Sequence, residues 1–295
     1  MATFARRRPA PDILKNRALL TLMFGHFTND LVGGFIPVLF PLLTARFDVN
    51  LSTVGLVSLA YSGMSSITQP FFGWLADRYG TRLIGAAIIW SAIAFAGIGF
   101  APSFHLVVLL AGLAGIGSGL FHPFGALNAG AVIPPRQRNS AMSIYVSGGS
   151  IGFSMGPLIG VGLLALFGLR GTAVWVIPGI VMASFLLVGM RTIALPGARR
   201  STMATAPSAP GSRRVLITVT LVMMLVSWNI SAIESFVPIW YKDLGYGSGF
   251  YGPLTTAIIL GGVAGALSAG ALADRLNRRL LVGITFALSI PAILL

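Results

Sequence analysis

The sequence predicts an all-α integral membrane protein built on an internal repeat, and three observations predict it. Only 9% of the 295 residues are charged while 55% are hydrophobic, against roughly 25% charged in a soluble domain. The apolar residues gather into long runs, each near or above the roughly 20 residues a helix needs to cross a bilayer. One loop sequence also occurs twice, 197 residues apart.

The runs follow a basic leader, residues 1–17. They cover 18–44, 51–75, 83–101, 106–133, 141–167, 172–190, 215–240 and 253–273, with a last run at 280–295. Each is too long for a buried strand, and glycine and proline inside them are tolerated in membrane helices. The first run is longer than a signal-peptide core and others follow it, so it reads as a spanning helix. Residues 191–214 form the one long polar linker, rich in Ala, Pro, Ser and Thr with five Arg, a composition that buries no core. It separates an amino-terminal six-helix bundle, 18–190, from a partial carboxy-terminal bundle, 215–295.

The net charge of +13 would suggest nucleic acid in a soluble protein, but position gives it another meaning. With a cytoplasmic N-terminus, 17 of the 20 basic residues fall on the cytoplasmic side, leaving Arg46, Arg170 and Lys242 opposite. That asymmetry is the positive-inside pattern. Lipid is therefore the expected surrounding, and nucleic acid is not an expected partner. Cys is absent, which removes disulfides and thiolate metal sites. No metal site is expected. Without a Ser-His-Asp arrangement in a polar loop, an H-E-x-x-H, a phosphate-binding P-loop or a nucleotide domain, an enzyme is not expected.

The repeated loop reads Gly73-Trp-Leu75-Ala76-Asp77-Arg78-Tyr-Gly80-Thr-Arg82 and Gly270-Ala-Leu272-Ala273-Asp274-Arg275-Leu-Asn277-Arg278-Arg279. Upstream, Phe35-Ile-Pro37 matches Phe236-Val-Pro238 at an offset of 201. In each loop the acid can cap a helix N-terminus or pair with an Arg on a neighbouring helix, latching one conformer. The candidate latch residues are Gly73, Asp77, Arg78, Arg82, Gly270, Asp274, Arg275 and Arg279.

Only Asp30 and Glu234, of seven acids, lie inside apolar runs, where an ionised acid costs about 2.5–3.5 kcal/mol on insertion scales. Asp30 shares a helical face with His26, Asn29, Gly33 and Pro37, at i, i+3/i+4, i+7 spacing. We expect that face to meet a central cavity, with Asp30 titrating and His26 as partner or relay. A structural hydrogen bond to a neighbouring helix is the alternative. Glu234 is a second candidate cavity charge, or a residue at the mouth. His122, deep in the fourth run, joins the candidates, although a satisfied core histidine is the alternative there. In the fifth run Gly148, Gly152, Gly156 and Gly160 recur every fourth residue, leaving a flat groove for another helix.

The doubled loop resembles the signature motif of the major facilitator superfamily. That resemblance implies two six-helix repeats, here with the second incomplete: about 8.5 of 12 spans. Gly152-Phe-Ser-Met-Gly156-Pro157-Leu-Ile-Gly160 is similar to the antiporter motif that the family associates with exporters. Gly25-His26-Phe-Thr-Asn29-Asp30, with Phe121-His122-Pro123, looks like the fosmidomycin-resistance branch. What the resemblance implies is proton-coupled efflux of a small molecule or drug by alternating access, in the bacterial inner membrane. The proton gradient would supply the energy and no cofactor would be needed. Uptake of a metabolite on the same fold and a non-transporting fragment are the alternatives, and the sequence leaves oligomeric state open. The resemblance also implies an acid after Pro123, where this chain has Phe124. Without Lys or Arg inside the runs, the cavity is expected to be apolar, aromatic and weakly acidic, suiting a neutral or cationic amphiphile.

Overall fold

Each apolar run becomes a helix, and small local devices set the helix ends. The computed structural model describes residues 13–133, 137–193, 212–246 and 248–294. Helix α1 (Arg17–Phe35) starts where the Asn16 side chain accepts from the Leu19 amide, satisfying one orphan donor of the first turn. A 3-10 turn at Ile36–Leu39, carrying Pro37, leads into α2 (Phe40–Phe47). The chain breaks at Asp48, which is left-handed at φ 50°. Asn50 then caps α3 (Leu51–Tyr79), and Gly80, at φ 84°, ends it.

Next come α4 (Ile84–Ile98), α5 (Phe104–Ala131), capped by Ser103, and α6 (Arg138–Phe167). A 3-10 stretch at Gly168–Trp175 joins α6 to α7 (Val176–Ile193). Then follow α8 (Ser212–Asp243), α9 (Ser248–Ala273) and α10 (Arg278–Leu294). Pro70, Pro123 and Pro157 sit inside α3, α5 and α6. Among the described residues no strand occurs.

Four stretches of the described residues are long and apolar enough to cross a membrane by length and composition alone: Arg17–Phe47, Phe104–Ala131, Arg138–Gly189 and Arg213–Ile230. Helix α3 is not among them, although it is 29 residues long. Ser58, Ser62, Ser65, Ser66 and Gln69 dilute its apolar character.

The chain divides into two compact units, residues 1–197 with 266–295, and residues 198–265. In the first, α1 packs chiefly along α6, α3 along α5, and α4 against α5 and α7. Its buried side chains form two apolar clusters. One gathers Leu31, Phe35, Leu39, Phe95 and Ile98; the other gathers Leu19, Leu22, Phe121, Phe124 and Leu186. On α1 a short polar stretch, His26 to Asp30, separates Leu22 of one cluster from Leu31 of the other. In the second unit, residues 213–225 of α8 are exposed along the whole stretch.

Candidate functional site

The site is built where α1, α5 and α6 meet. The glycine stripe of α6 makes the meeting close. A Cβ on Gly148 or Gly152 would collide with the carbonyls of Met23 and Phe27, and one on Gly156 would stand 2.6–2.7 Å from the backbone of Gly34 and Leu31. The groove is thus filled by α1, with Gly34 pressed in return on the Phe153 carbonyl. Gly149, one residue off the stripe, faces the polar stretch: a Cβ there would lie 2.5 Å from Asp30 Oδ2 and 2.6 Å from His26 Nε2.

Asp30 is the hub. His26 Nε2 lies 3.2 Å from Asp30 Oδ2, and His122 Nε2 lies 3.7 Å from Oδ1. Asn29 Nδ2 donates to Asp30 Oδ1 at 2.8 Å and to Ser118 Oγ at 3.0 Å. Ser65 Oγ donates to Ser118 Oγ at 3.2 Å, extending the network to α3. On its other side, His26 Nδ1 is 2.8 Å from the Tyr145 carbonyl oxygen. The His26 ring stacks on the Tyr145 ring, with centroids 4.3 Å apart, and meets His122 edge-on at 5.2 Å.

The Tyr145 contact fixes the tautomer. A carbonyl oxygen only accepts, so Nδ1 must carry a hydrogen and donate it. Nε2 then faces the carboxylate with nothing to donate unless a second proton is present on one partner. The pair can therefore hold one proton, on the imidazole or on the acid. His26, Asp30 and His122 each offer one ligand atom, all within 4.8 Å of one another, so the gap is also within reach of a divalent cation.

A cavity of about 300 Å³ opens beside this hub, lined by Asp30, Gly33 and Pro37 of the first span and by His122 and Ser118 of α5. His26 and Asn29, also on that face of α1, stay buried behind it at 8% and 2% exposure. The other wall adds hydroxyls to the expected aromatic and weakly acidic lining. It is the α3 face of Ser58, Tyr61, Ser62, Ser65, Ser66 and Gln69, with Phe153 from α6. The spacing 58, 62, 65/66, 69 is helical and readable in the sequence. It escapes attention because serine lowers hydropathy without adding charge. Phe124, where the resemblance implies an acid, is fully buried in an apolar cluster. The side chain of Glu234 lies outside the described residues, although the residue falls within α8.

The two repeated loops differ in what they touch. Asp274 sits at the start of α6. Its Oδ1 accepts from the Asn139 amide at 3.1 Å and from Asn139 Nδ2 at 2.7 Å. Its Oδ2 accepts from the Ser140 amide at 2.9 Å and from the Ser140 hydroxyl. Partial burial pushes the Asp274 carboxyl up, but the bonds from Ser140 and Asn139 outweigh it and hold the group below its ordinary value. Gly270 is needed for the approach, because a Cβ there would strike Ser143 Oγ. Asp77, at the equivalent position, is exposed. Arg78 lies over the rings of Trp74 and Tyr79, 5.7 Å from each centroid. Arg82, Arg275 and Arg279 are exposed.

Residues 22–295 match the family model described as Major Facilitator Superfamily. The chain belongs to that superfamily. It is 32% identical over 158 residues to the uncharacterized MFS-type transporter YfnC of Bacillus subtilis, covering 53% of this chain and 38% of that protein. It is 30% identical over 169 residues to the fosmidomycin resistance protein of Escherichia coli, covering 56% and 41%. With the multidrug resistance protein MdtH of Shigella boydii the figure is 28% over 215 residues, covering 70% and 52%. The matches thus span from about two fifths to one half of these relatives' lengths. Family membership and the apolar helices make this chain an integral membrane protein.

Proposed function

We propose that the chain serves secondary active efflux of a small molecule by alternating access, driven by protons that the Asp30–His26 pair loads and releases. The single observation behind the coupling is the fixed imidazole: Nδ1 is committed to the Tyr145 carbonyl, so the 3.2 Å contact to Asp30 would hold one proton beside the cavity that Asp30 lines. Asp30 lines that cavity while His26 sits behind it. A proton therefore has an entry at the acid and a resting place at the imidazole. The relatives named for fosmidomycin and multidrug resistance favour export over uptake. The charge asymmetry of the loops supports a cytoplasmic N-terminus, and the relatives support the bacterial inner membrane. The loops at Asp77 and Asp274 act as conformational latches in this scheme, and Gly148, Gly152, Gly156, Pro157 and Gly160 as the bearing of α6 on α1.

The test is Asp30→Asn, which keeps size and most hydrogen bonds but cannot ionise. The chain is expressed in a bacterial host lacking its own exporters, and resistance to a drug panel is scored with and without a collapsed proton gradient. The expected result is gradient-dependent resistance that Asp30→Asn abolishes. Gradient-dependent resistance unchanged in the variant would overturn the assignment.

A further inference from the structure

The hydroxyl-lined wall of the cavity is not used by the proton scheme. Ser58, Ser62, Ser66 and Gln69 line the cavity, and none of them has a side-chain hydrogen-bond partner among the described residues. Ser62 and Ser66 are exposed and Ser58 and Gln69 half-exposed. Facing lipid, such a face would leave its donors and acceptors unsatisfied. Facing the cavity it is wetted, and any solute that enters must replace that water. An apolar solute cannot do so, and each polar group it strips without replacement costs about 1–3 kcal/mol. Sites built to hydrogen-bond a substrate reject analogues lacking the matching groups far more strongly than apolar pockets reject an added one.

Charge narrows the class further. The lining holds one carboxylate, Asp30, and one imidazole, His122, whose Nδ1 is buried without a partner. No Lys or Arg lines the cavity, so an anion would meet the carboxylate with no permanent cation to offset it. Volume sets the scale: about 300 Å³ lies at the small end of ligand pockets, the size of a single sugar ring and its substituents.

We propose that this cavity selects a small polyhydroxylated amine, the chemistry of an amino sugar. Its ammonium sits at Asp30 and its hydroxyls on the Ser58–Gln69 face of α3. The proposal rests on the transport assignment above, and it adds why a bound cation and a proton exclude each other: both need the Asp30 carboxylate.

The experiment uses the full chain purified into lipid nanodiscs, with binding of radiolabelled D-glucosamine measured by equilibrium dialysis. D-glucose, tetrapropylammonium and phosphonoacetate serve as competitors, isolating hydroxyls, apolar cation and anion. The expected result is saturable binding that glucose weakens, with tetrapropylammonium and phosphonoacetate at least tenfold poorer competitors than unlabelled glucosamine. Ser62→Ala with Ser66→Ala should weaken glucosamine at least tenfold while leaving tetrapropylammonium unchanged. Tetrapropylammonium competing as well as glucosamine would overturn the hydroxyl recognition. Phosphonoacetate competing as well would overturn the charge assignment. Absence of saturable glucosamine binding would overturn the proposal altogether. The competition series on the unaltered chain decides even where the serine variants do not fold. Failure here leaves the gradient-dependence test of Asp30→Asn standing, so the two claims fail separately.

Discussion

Gly149→Ala is the sharpest perturbation of the site, because it adds one methyl group and touches only the pair that matters. The new Cβ would stand 2.5 Å from Asp30 Oδ2 and 2.6 Å from His26 Nε2, roughly 0.9 Å inside the 3.4 Å at which ordinary contact begins. His26 is tied behind by Tyr145 and Asp30 by Asn29, so neither side chain yields without losing a bond. Overpacking of this kind costs about 1–3 kcal/mol. Alanine in place of a helical glycine returns about 0.5–1 kcal/mol, so an internal reference is needed. Gly162 supplies it, since a Cβ there meets nothing within 4 Å and the residue is exposed on the same helix. The difference in stability between Gly149→Ala and Gly162→Ala is then the overpacking alone, about 1–3 kcal/mol. Reversible unfolding of both variants in mixed micelles measures it, and the nitrogen resonance of His26 Nε2 should move only in the first. Stabilities within about 0.5 kcal/mol of each other, the ordinary range of surface changes, with an unmoved His26 signal, would refute the geometry from which the proton holder is argued.

Asp274→Ala should destabilise the first unit by about 0.5–2 kcal/mol, the usual worth of a helix cap, read as earlier unfolding in the same micelles. Asp77→Ala, at an exposed acid, should stay within about 0.5 kcal/mol of the parent. The Asp274 carboxyl is held below its ordinary value of 3.8, so its cap is fully present above that pH. It weakens as acid carries the solution below it. Hydrogen exchange at the Asn139 and Ser140 amides, followed as pH falls through that range, should speed up once the competing pH dependence of exchange is subtracted. Asn16→Ala removes the α1 cap and the 3.0 Å bond from Asn16 Nδ2 to the Val132 carbonyl. A loss of about 1 kcal/mol, with fraying confined to the first turn of α1, is expected by exchange.

Much of this architecture is legible in residue order because a bilayer leaves few alternatives to long helices. Asp30 and His26 could be put on one face by periodicity, and the α6 glycines could be seen as a groove. Periodicity says which residues share a face, but not which helix that face meets. So the groove's occupant, α1, and the arrival of His122 at Asp30 emerge only from packing. The same holds for Asp274: a cap or an Arg partner is equally consistent with its loop, and the structure puts it on the amides of Asn139 and Ser140. Gly149 carries no signal of its own beside the regular stripe. The serines of α3 escape notice because they lower hydropathy without adding charge, so the aromatic part of the lining is easier to read from the sequence than the hydroxyls.

The cap at Asn139 and the glycine behind the acid at 149 belong to one unbroken helix, ten residues and therefore about 15 Å apart. Tyr145, whose carbonyl anchors the imidazole, lies between them, and Pro157 falls beyond both. No hinge intervenes. A tug on the loop at one end would thus be delivered, as along a connecting rod, to the stretch of α6 that carries the His26 contact.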